Sequence, residues 1–98
     1  MASIWVHVYA AAGEVAMGIP INRFQVAIGG ASAATTALDP TAANSREHRR
    51  IRVFADNSCH VEIGNSPTAS TTSEPWAAEQ TEYKWAEAGM QVAVIDRV

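Results

Sequence analysis

Residues 50–64 read RIRVFADNSCHVEIG, two runs of alternating apolar and polar side chains on either side of a polar tip. The apolar side chains that share one face of these runs are Ile51, Val53, Ala55, Cys59, Val61 and Ile63. Such alternation is typical of half-buried β-strands, because successive side chains of a strand point to opposite faces. Asp56 and Asn57 tolerate the backbone angles of a tight turn, so this segment predicts a β-hairpin.

Other segments alternate in the same way and extend the β prediction along the chain. They are residues 4–9, 24–28 and 90–95. The chain has nine Val and seven Ile but only one Leu, and β-branched side chains favour strands. Its 98 residues leave room for one domain. We therefore expect a single all-β domain over residues 1–98.

Residues 31–48 interrupt the alternation with small and polar side chains. They predict a short strand near residues 35–38 and then an exposed loop, because no apolar stripe of helical period runs through them. A long loop in a small domain is often functional. Small side chains also lose little entropy on ordering, so the segment is either a plain surface loop or an arm that orders on a partner.

Residues 74–88 permit two interpretations. A helix could be capped by Ser73, carry Pro75 in its first turn and end at Gly89, and periodicity favours this interpretation. A strand would place Tyr83 and Trp85 on one face. In either case the run that follows Gly89 is expected to form a hairpin with the segment before it.

Charge and composition argue against several classes of function. The net charge of −3 and the pI near 5.5 argue against a general nucleic-acid binder. A single cysteine excludes an internal disulfide and a cysteine-cluster zinc site. No apolar run approaches the roughly 18 residues of a membrane span. The first residues lack the basic and then apolar opening of a signal peptide.

No catalytic, cofactor-binding or metal-binding residue is predicted. Cys59 and His60 are adjacent, so on a strand they point to opposite faces and do not form a nucleophile and base. The three histidines have no zinc-ligand spacing, and no glutamate has a predictable opposing carboxylate. The sequence therefore predicts a protein that is not an enzyme and needs no cofactor.

Five residues are candidates for contact with another protein: Arg46, Arg49, Arg50, Trp5 and Trp76. The arginines belong to the one basic cluster, which could match an acidic protein surface, contact nucleic acid or guard a solvated strand edge. The tryptophans either pack in the core or anchor an interface, where Trp is a frequent hot-spot residue. Trp76 is the first choice as an anchor, because it lies between Pro75 and small residues.

The second half of the chain also carries a set of short motifs in a fixed order. These are RVFADNSCHVEIG at residues 52–64, Pro-Thr-Ala at 67–69, Glu-Tyr at 82–83, then Gly89, and Val-Ala-Val-Ile at 92–95. In this order and spacing they resemble a family of small virion-associated proteins of tailed bacteriophages. The resemblance covers residues 50–95. The chain departs from the family pattern at residues 75–80, where the family has an apolar stretch with Pro and Gly, and at residues 87–88, where a Pro is common.

The resemblance implies a small antiparallel β-sandwich or jelly-roll-like barrel of seven or eight short strands, with residues 80–86 as a strand. It implies a capsid decoration or cement protein on the exterior of the virion, bound to the major capsid protein and self-associated as a dimer or trimer. Neither nucleic acid nor a membrane is an expected partner. Two alternatives remain open: a head–tail connector or tail accessory virion protein, and a free-standing β binding module for a small ligand or glycan.

Overall fold

The computed structural model describes residues 2–9, 20–40 and 48–97, and the predicted interface residue Arg46 lies outside these ranges. Within them the chain forms eight strands and no helix that could span a membrane. The strands are β1 (Ser3–Tyr9), β2 (Asn22–Ala27), β3 (Ala33–Ala34), β4 (His48–Ala55), β5 (Cys59–Gly64), β6 (Glu74–Trp76), β7 (Gln80–Glu87) and β8 (Gln91–Asp96).

The strands form two antiparallel sheets, a first sheet of order β2-β1-β4-β7 and a second of order β3-β8-β5-β6. Strands β2 to β8 follow the strand order of a jelly roll, the double-sheet fold of two Greek keys. Strand β1 lies between β2 and β4, where a jelly roll has its last strand. The predicted sandwich of seven or eight short strands is therefore confirmed, with an N-terminal strand in the place of a C-terminal one.

The core lies between the sheets and is built from alternate side chains of the long strands. The first sheet contributes Ile4, Val6, Val8, Ile51, Val53 and Ala55, and the second contributes Cys59, Val61, Val92 and Val94. Leu38 and Trp76, both fully buried, also belong to it, together with Val26, Ile28 and Ala86. The period of two read from the sequence therefore separates inner from outer side chains correctly in these strands.

The predicted hairpin at residues 50–64 is wrong in its pairing, although both of its strands are present. Strand β4 pairs with β1 and β7 in the first sheet, whereas β5 pairs with β6 and β8 in the second. The connection is a corner tied to β1, because Ser3 N–H donates to Asp56 Oδ1 at 2.8 Å and Asp56 N–H donates to the Ser3 carbonyl at 3.1 Å. Each run has one apolar face, and crossing between sheets brings the two faces together over one core.

The second predicted hairpin is wrong for the same reason. Strands β7 and β8 lie in different sheets, joined by a corner in which Gly89 has a φ of 96°. Gly89 N–H donates to the Leu38 carbonyl at 2.7 Å, and Leu38 N–H donates to the Met90 carbonyl at 2.8 Å. A glycine suits this position because only a residue without a Cβ adopts such a φ at little cost.

Residues 80–87 are a strand, so the helix that periodicity favours is wrong there. Strand β7 pairs with β4 along its whole length, from Gln80 opposite Ala55 to Glu87 opposite His48. Cross-strand pairing of this extent overrides the helix propensity of Ala, Glu and Lys, which is a weak preference. The outward-facing side chains of β7 include Tyr83 and Trp85, as the strand interpretation predicts.

The predicted loop at residues 31–48 is only partly a loop in the described structure. Strand β3 lies two residues earlier than the predicted strand, and Thr35 and Leu38 are buried. Thr35 Oγ1 accepts a hydrogen bond of 3.1 Å from Val92 N–H, which fixes the segment beside β8. Residues 31–40 are therefore part of the sandwich, while residues 41–47 lie outside the described ranges.

Candidate binding face

The outer face of the first sheet brings together aromatic and cationic side chains from all four of its strands. We call it the aromatic–arginine face and define it by Trp5, His7, Arg23, Arg50, Arg52, Phe54, Tyr83 and Trp85. All eight residues are at outward positions. Those on β1 and β4 alternate along the strand with the buried Ile4, Val6, Ile51 and Val53, and those on β2 and β7 lie directly opposite them in the sheet.

Arg50 occupies the centre of one cross-strand row on this face. It lies opposite Tyr9 on β1 and Trp85 on β7. Its guanidinium carbon is 5.5 Å from the centre of the Tyr83 ring and 5.8 Å from that of Trp85. These distances are within the range of cation–π attraction. Yet Tyr83 remains 46% exposed and Trp85 55%, so both rings keep a large surface in contact with solvent.

A second row places three basic side chains next to one another. His7 lies opposite Arg23 on β2 and Arg52 on β4, and Arg52 lies opposite Tyr83. Burial lowers the pKa of His7 below 6.5, and the positive charges of Arg52 and Arg23 lower it further. His7 is therefore mostly neutral near pH 7, while its two neighbours remain charged.

Trp5 and Phe54 form the walls of an open hollow whose remaining lining residues are His7 and Arg52. The hollow has a volume of about 310 Å³, and the Trp5 and Phe54 ring centres are 5.7 Å apart with the planes tilted by 38°. Its lining combines the aromatic pair of Trp5 and Phe54 with the cationic Arg52 and the imidazole of His7 on the next cross-strand pair. Such a site can hold an anion that also has an apolar part.

The arginines of the aromatic–arginine face have no carboxylate partner among residues 2–9, 20–40 and 48–97. The ion pairs of this part of the chain lie elsewhere: Arg49 with Asp39 at 2.8 Å, and Lys84 with Glu74 at 3.1 Å. The outer side of the second sheet differs, since Glu62 is exposed there and His60 Nδ1 lies 3.0 Å from the Ser73 carbonyl oxygen. Positive charge is thus concentrated on one face of a chain whose net charge is negative.

The structure places the predicted interface residues in different environments. Trp5 and Arg50 lie together on the aromatic–arginine face. Arg49 points to the opposite side, where its Nε donates to Asp39 Oδ2 and the residue is only 8% exposed. Trp76 is fully buried in the core, because it faces inward from β6 opposite Cys59. In this conformation neither Arg49 nor Trp76 presents its side chain to a partner, and the choice of Trp76 as the leading anchor needs correction.

The sequence-based prediction omitted Tyr83, Trp85, Arg52 and Phe54 as members of one surface. The alternation within residues 50–54 did show that Arg50, Arg52 and Phe54 share a face. What sequence alone did not show is that β1, β4 and β7 are neighbours, which is a property of the strand order.

Other reactive groups of the described chain lie apart from this face. Cys59 is fully buried, and burial raises the pKa of its thiol from 9.0 to about 11. In the described ranges no three His, Cys, Asp or Glu side chains come together as a metal site would require.

Fold and face together define a small β-sandwich that exposes one cationic and aromatic sheet surface. Comparisons of the chain with protein-family models, with curated proteins and with solved structures find no match.

Proposed function

We propose that this protein is a non-enzymatic structural protein that docks on an acidic protein surface through the aromatic–arginine face. The observation that carries the proposal is the exposure of Tyr83 and Trp85 around Arg50. Trp, Tyr and Arg are the residue types most enriched at the energetic centres of protein interfaces. Here all three types occur side by side on a regular sheet, where they need little reordering to bind.

The energetics favour burial of these two rings against a partner. Removing about 100 Å² of apolar surface from water stabilises an association by roughly 2.5 kcal/mol, before the entropic cost of binding. The cation–π contacts of Arg50 with both rings restrict its side chain, so less side-chain entropy is lost on docking. A partner that covers Tyr83 and Trp85 would therefore gain a compact anchor of the hot-spot kind.

Charge complementarity supports an acidic partner. Arg23, Arg50 and Arg52 lie on one face and form no ion pair within the described residues. Opposite charge on the partner would speed the encounter and fix its orientation. The negative net charge of the chain argues against a general nucleic-acid binder, which usually carries a basic balance of charge.

The resemblance of residues 50–95 to phage virion proteins supplies the proposed setting. The partner is then the major capsid protein, and the protein decorates and cements the exterior of the capsid, self-associated as a dimer or trimer. A protein that binds only the assembled shell stabilises that shell by mass action, since dissociation of the subunits also requires loss of the bound protein.

Particle binding tests the proposal. Purified chain is added to heads that lack it, the heads are washed by sedimentation, and bound chain is counted against capsid protein. We expect a copy number comparable to that of the capsid protein. The double variant Tyr83→Ala/Trp85→Ala should bind at least tenfold more weakly, because it removes both exposed rings. Glu62→Gln, on the outer side of the second sheet, is the matched control and should bind normally.

Three results would contradict the proposal. These are a chain absent from washed particles, a double variant that binds like the unmodified chain, and a Glu62→Gln variant that alone loses binding. A copy number of about a dozen would instead indicate a connector at the head–tail junction.

The hollow lined by Trp5, Phe54, His7 and Arg52 favours a second candidate, a free-standing binding module for a small ligand or glycan. Aromatic walls with one or two placed polar groups are typical of such sites. Absence from washed particles together with binding of a soluble sugar or small anion in the hollow would favour this candidate over a structural protein.

A further inference from the structure

We propose that the hollow lined by Trp5, Phe54, His7 and Arg52 is a carboxylate-binding subsite for an aspartate or glutamate side chain of the docking partner, and that His7 makes this contact stronger as the pH falls. The inference rests on the proposed function, since it names the chemical group of the partner that the aromatic–arginine face receives. It also assigns a separate role to the hollow, which lies on a different cross-strand row from the exposed anchor at Arg50.

The cross-strand register supplies the cationic part of the subsite. Arg23, His7 and Arg52 are direct neighbours on three adjacent strands. Side chains in such positions have Cβ atoms about 4.5–5.5 Å apart, so Arg23 and Arg52 occupy the positions on either side of His7, and Arg52 and His7 line the hollow itself. Like charges placed side by side are unfavourable. An incoming carboxylate relieves this repulsion, and it can accept two hydrogen bonds from the planar guanidinium of Arg52.

The aromatic walls supply the apolar part of the subsite. Trp5 and Phe54 form one apolar side of the open hollow. A side chain bound against them displaces water, and charges interact more strongly where water is displaced. The volume of about 310 Å³ is at the small end of the range for ligand sites. A single acidic side chain suits this size better than a folded segment of a partner does.

The pH dependence follows from the groups that face His7. Arg23 faces it from β2 and Arg52 from β4, with Tyr83 beyond Arg52 on β7 and Tyr9 two residues along β1. The two arginines and burial lower the pKa of His7 in the free protein. A bound carboxylate offsets the positive charge of the arginines and so raises the pKa of His7.

A ligand that raises this pKa binds with uptake of a proton. The affinity therefore increases as the pH falls through the range in which His7 becomes charged. It decreases again only when the carboxylate of the ligand is itself protonated, near pH 4 for a glutamate.

The test uses the full chain and three probes at low ionic strength. The probes are a blocked peptide of alternating Gly and Glu, the same peptide with Gln for Glu, and a short oligothymidylate. NMR follows the indole N–H of Trp5 and the imidazole of His7 during each titration. We expect the Glu peptide to shift the Trp5 signal, to raise the pKa of His7, and to bind about three- to tenfold more tightly near pH 5.5 than near pH 7.5. The Gln peptide should do none of these.

Variants separate the subsite from general attraction. Arg52→Gln should lose most of the affinity for the Glu peptide, and His7→Gln should bind it with no change between the two pH values. Lys84→Gln is the matched control, because Lys84 carries the same charge on the same sheet but pairs with Glu74 away from the hollow. It should bind the Glu peptide normally.

The inference is wrong if the Glu and Gln peptides bind alike, or if the Glu peptide leaves the signals of Trp5 and His7 unchanged. It is also wrong if only the oligothymidylate binds, which would assign the hollow to nucleic acid. Particle binding distinguishes this failure from failure of the proposed function. If Arg52→Gln binds heads normally at both pH values, the subsite is wrong and docking stands. If the chain binds the Glu peptide but does not bind heads, the docking function is wrong and the subsite stands.

Discussion

Arg49 Nε donates to Asp39 Oδ2 at 2.8 Å, and the two side chains are only 10% and 7% exposed. The pair joins β4 to the segment that follows Leu38. Asp39 has a φ of 44°, and its N–H donates to Asn22 Oδ1 at 2.6 Å, which adds β2 to the same junction. Two neighbouring arginines of the basic cluster therefore have different roles. Arg49 forms a buried ion pair that connects β4 to the segment after Leu38, whereas Arg50 lies on the aromatic–arginine face.

Loss of Asp39 should destabilise the protein strongly. Asp39→Ala leaves Arg49 as a buried charge without this carboxylate, and such changes cost about 3–5 kcal/mol. Chemical denaturation measures the free energy of unfolding. Glu74→Gln removes the more exposed pair with Lys84 and should cost less than about 1 kcal/mol. Equal losses for the two variants would contradict the structural role of the Arg49–Asp39 pair.

The two C-terminal tryptophans should respond oppositely to truncation. Trp76 is fully buried, so Trp76→Ala should lower the free energy of unfolding by about 3–5 kcal/mol. Trp85 is 55% exposed, so Trp85→Ala should change it by less than about 1 kcal/mol while weakening particle binding. Thermal unfolding of both variants checks this. A stable Trp76→Ala variant that loses particle binding would restore Trp76 as an interface anchor.

Cys59 should be unreactive in the folded protein. With the thiol pKa raised to about 11, only about one molecule in a thousand carries a thiolate at pH 8, and the sulfur is also buried. Labelling with a chromogenic disulfide reagent should be slow in buffer and fast in denaturant. Fast labelling under native conditions would mean that the second sheet opens readily.

His7 should make the protein less stable as the pH falls. Its folded pKa lies below the usual 6.5, so the unfolded chain binds more protons below that pH, and stability decreases with decreasing pH in this window. Urea unfolding at each pH measures the free energy of unfolding. Between pH 7 and pH 5 this free energy should fall less for His7→Gln than for the unmodified protein. Arg23→Gln should reduce the effect, because one of the two charges that lower the pKa is gone. If the free energy of unfolding changes with pH in the same way in all three proteins, the lowered pKa of His7 does not contribute to stability.

Much of the fold follows from the local pattern of the chain. Alternation at residues 50–64 gave the inner and outer positions of β4 and β5 correctly, since a strand has only two faces. Pairing was not predictable in the same way. A polar tip such as residues 56–58 suits either a hairpin or a corner between sheets, and the choice depends on contacts with Ser3, 53 residues away in sequence from Asp56.

The candidate site shows the same limit. Trp5 and Arg50 were predicted as contact residues from their types alone, and the register places them on one face. Trp76 has the same residue type as Trp85, yet one is buried and the other exposed. Flanking Pro and small residues did not reveal this difference. It depends on which sheet covers each strand, which single-sequence patterns do not encode.

Hydroxyl-radical footprinting on capsids tests the docking surface most directly. Oxidation of each residue is measured by mass spectrometry for the free chain and for the chain bound to heads, with His60 on the second sheet as an internal control. We expect Tyr83 and Trp85 to become protected on binding while His60 is oxidised at an unchanged rate. Unchanged oxidation of Tyr83 and Trp85 on chain that is demonstrably bound would contradict this expectation.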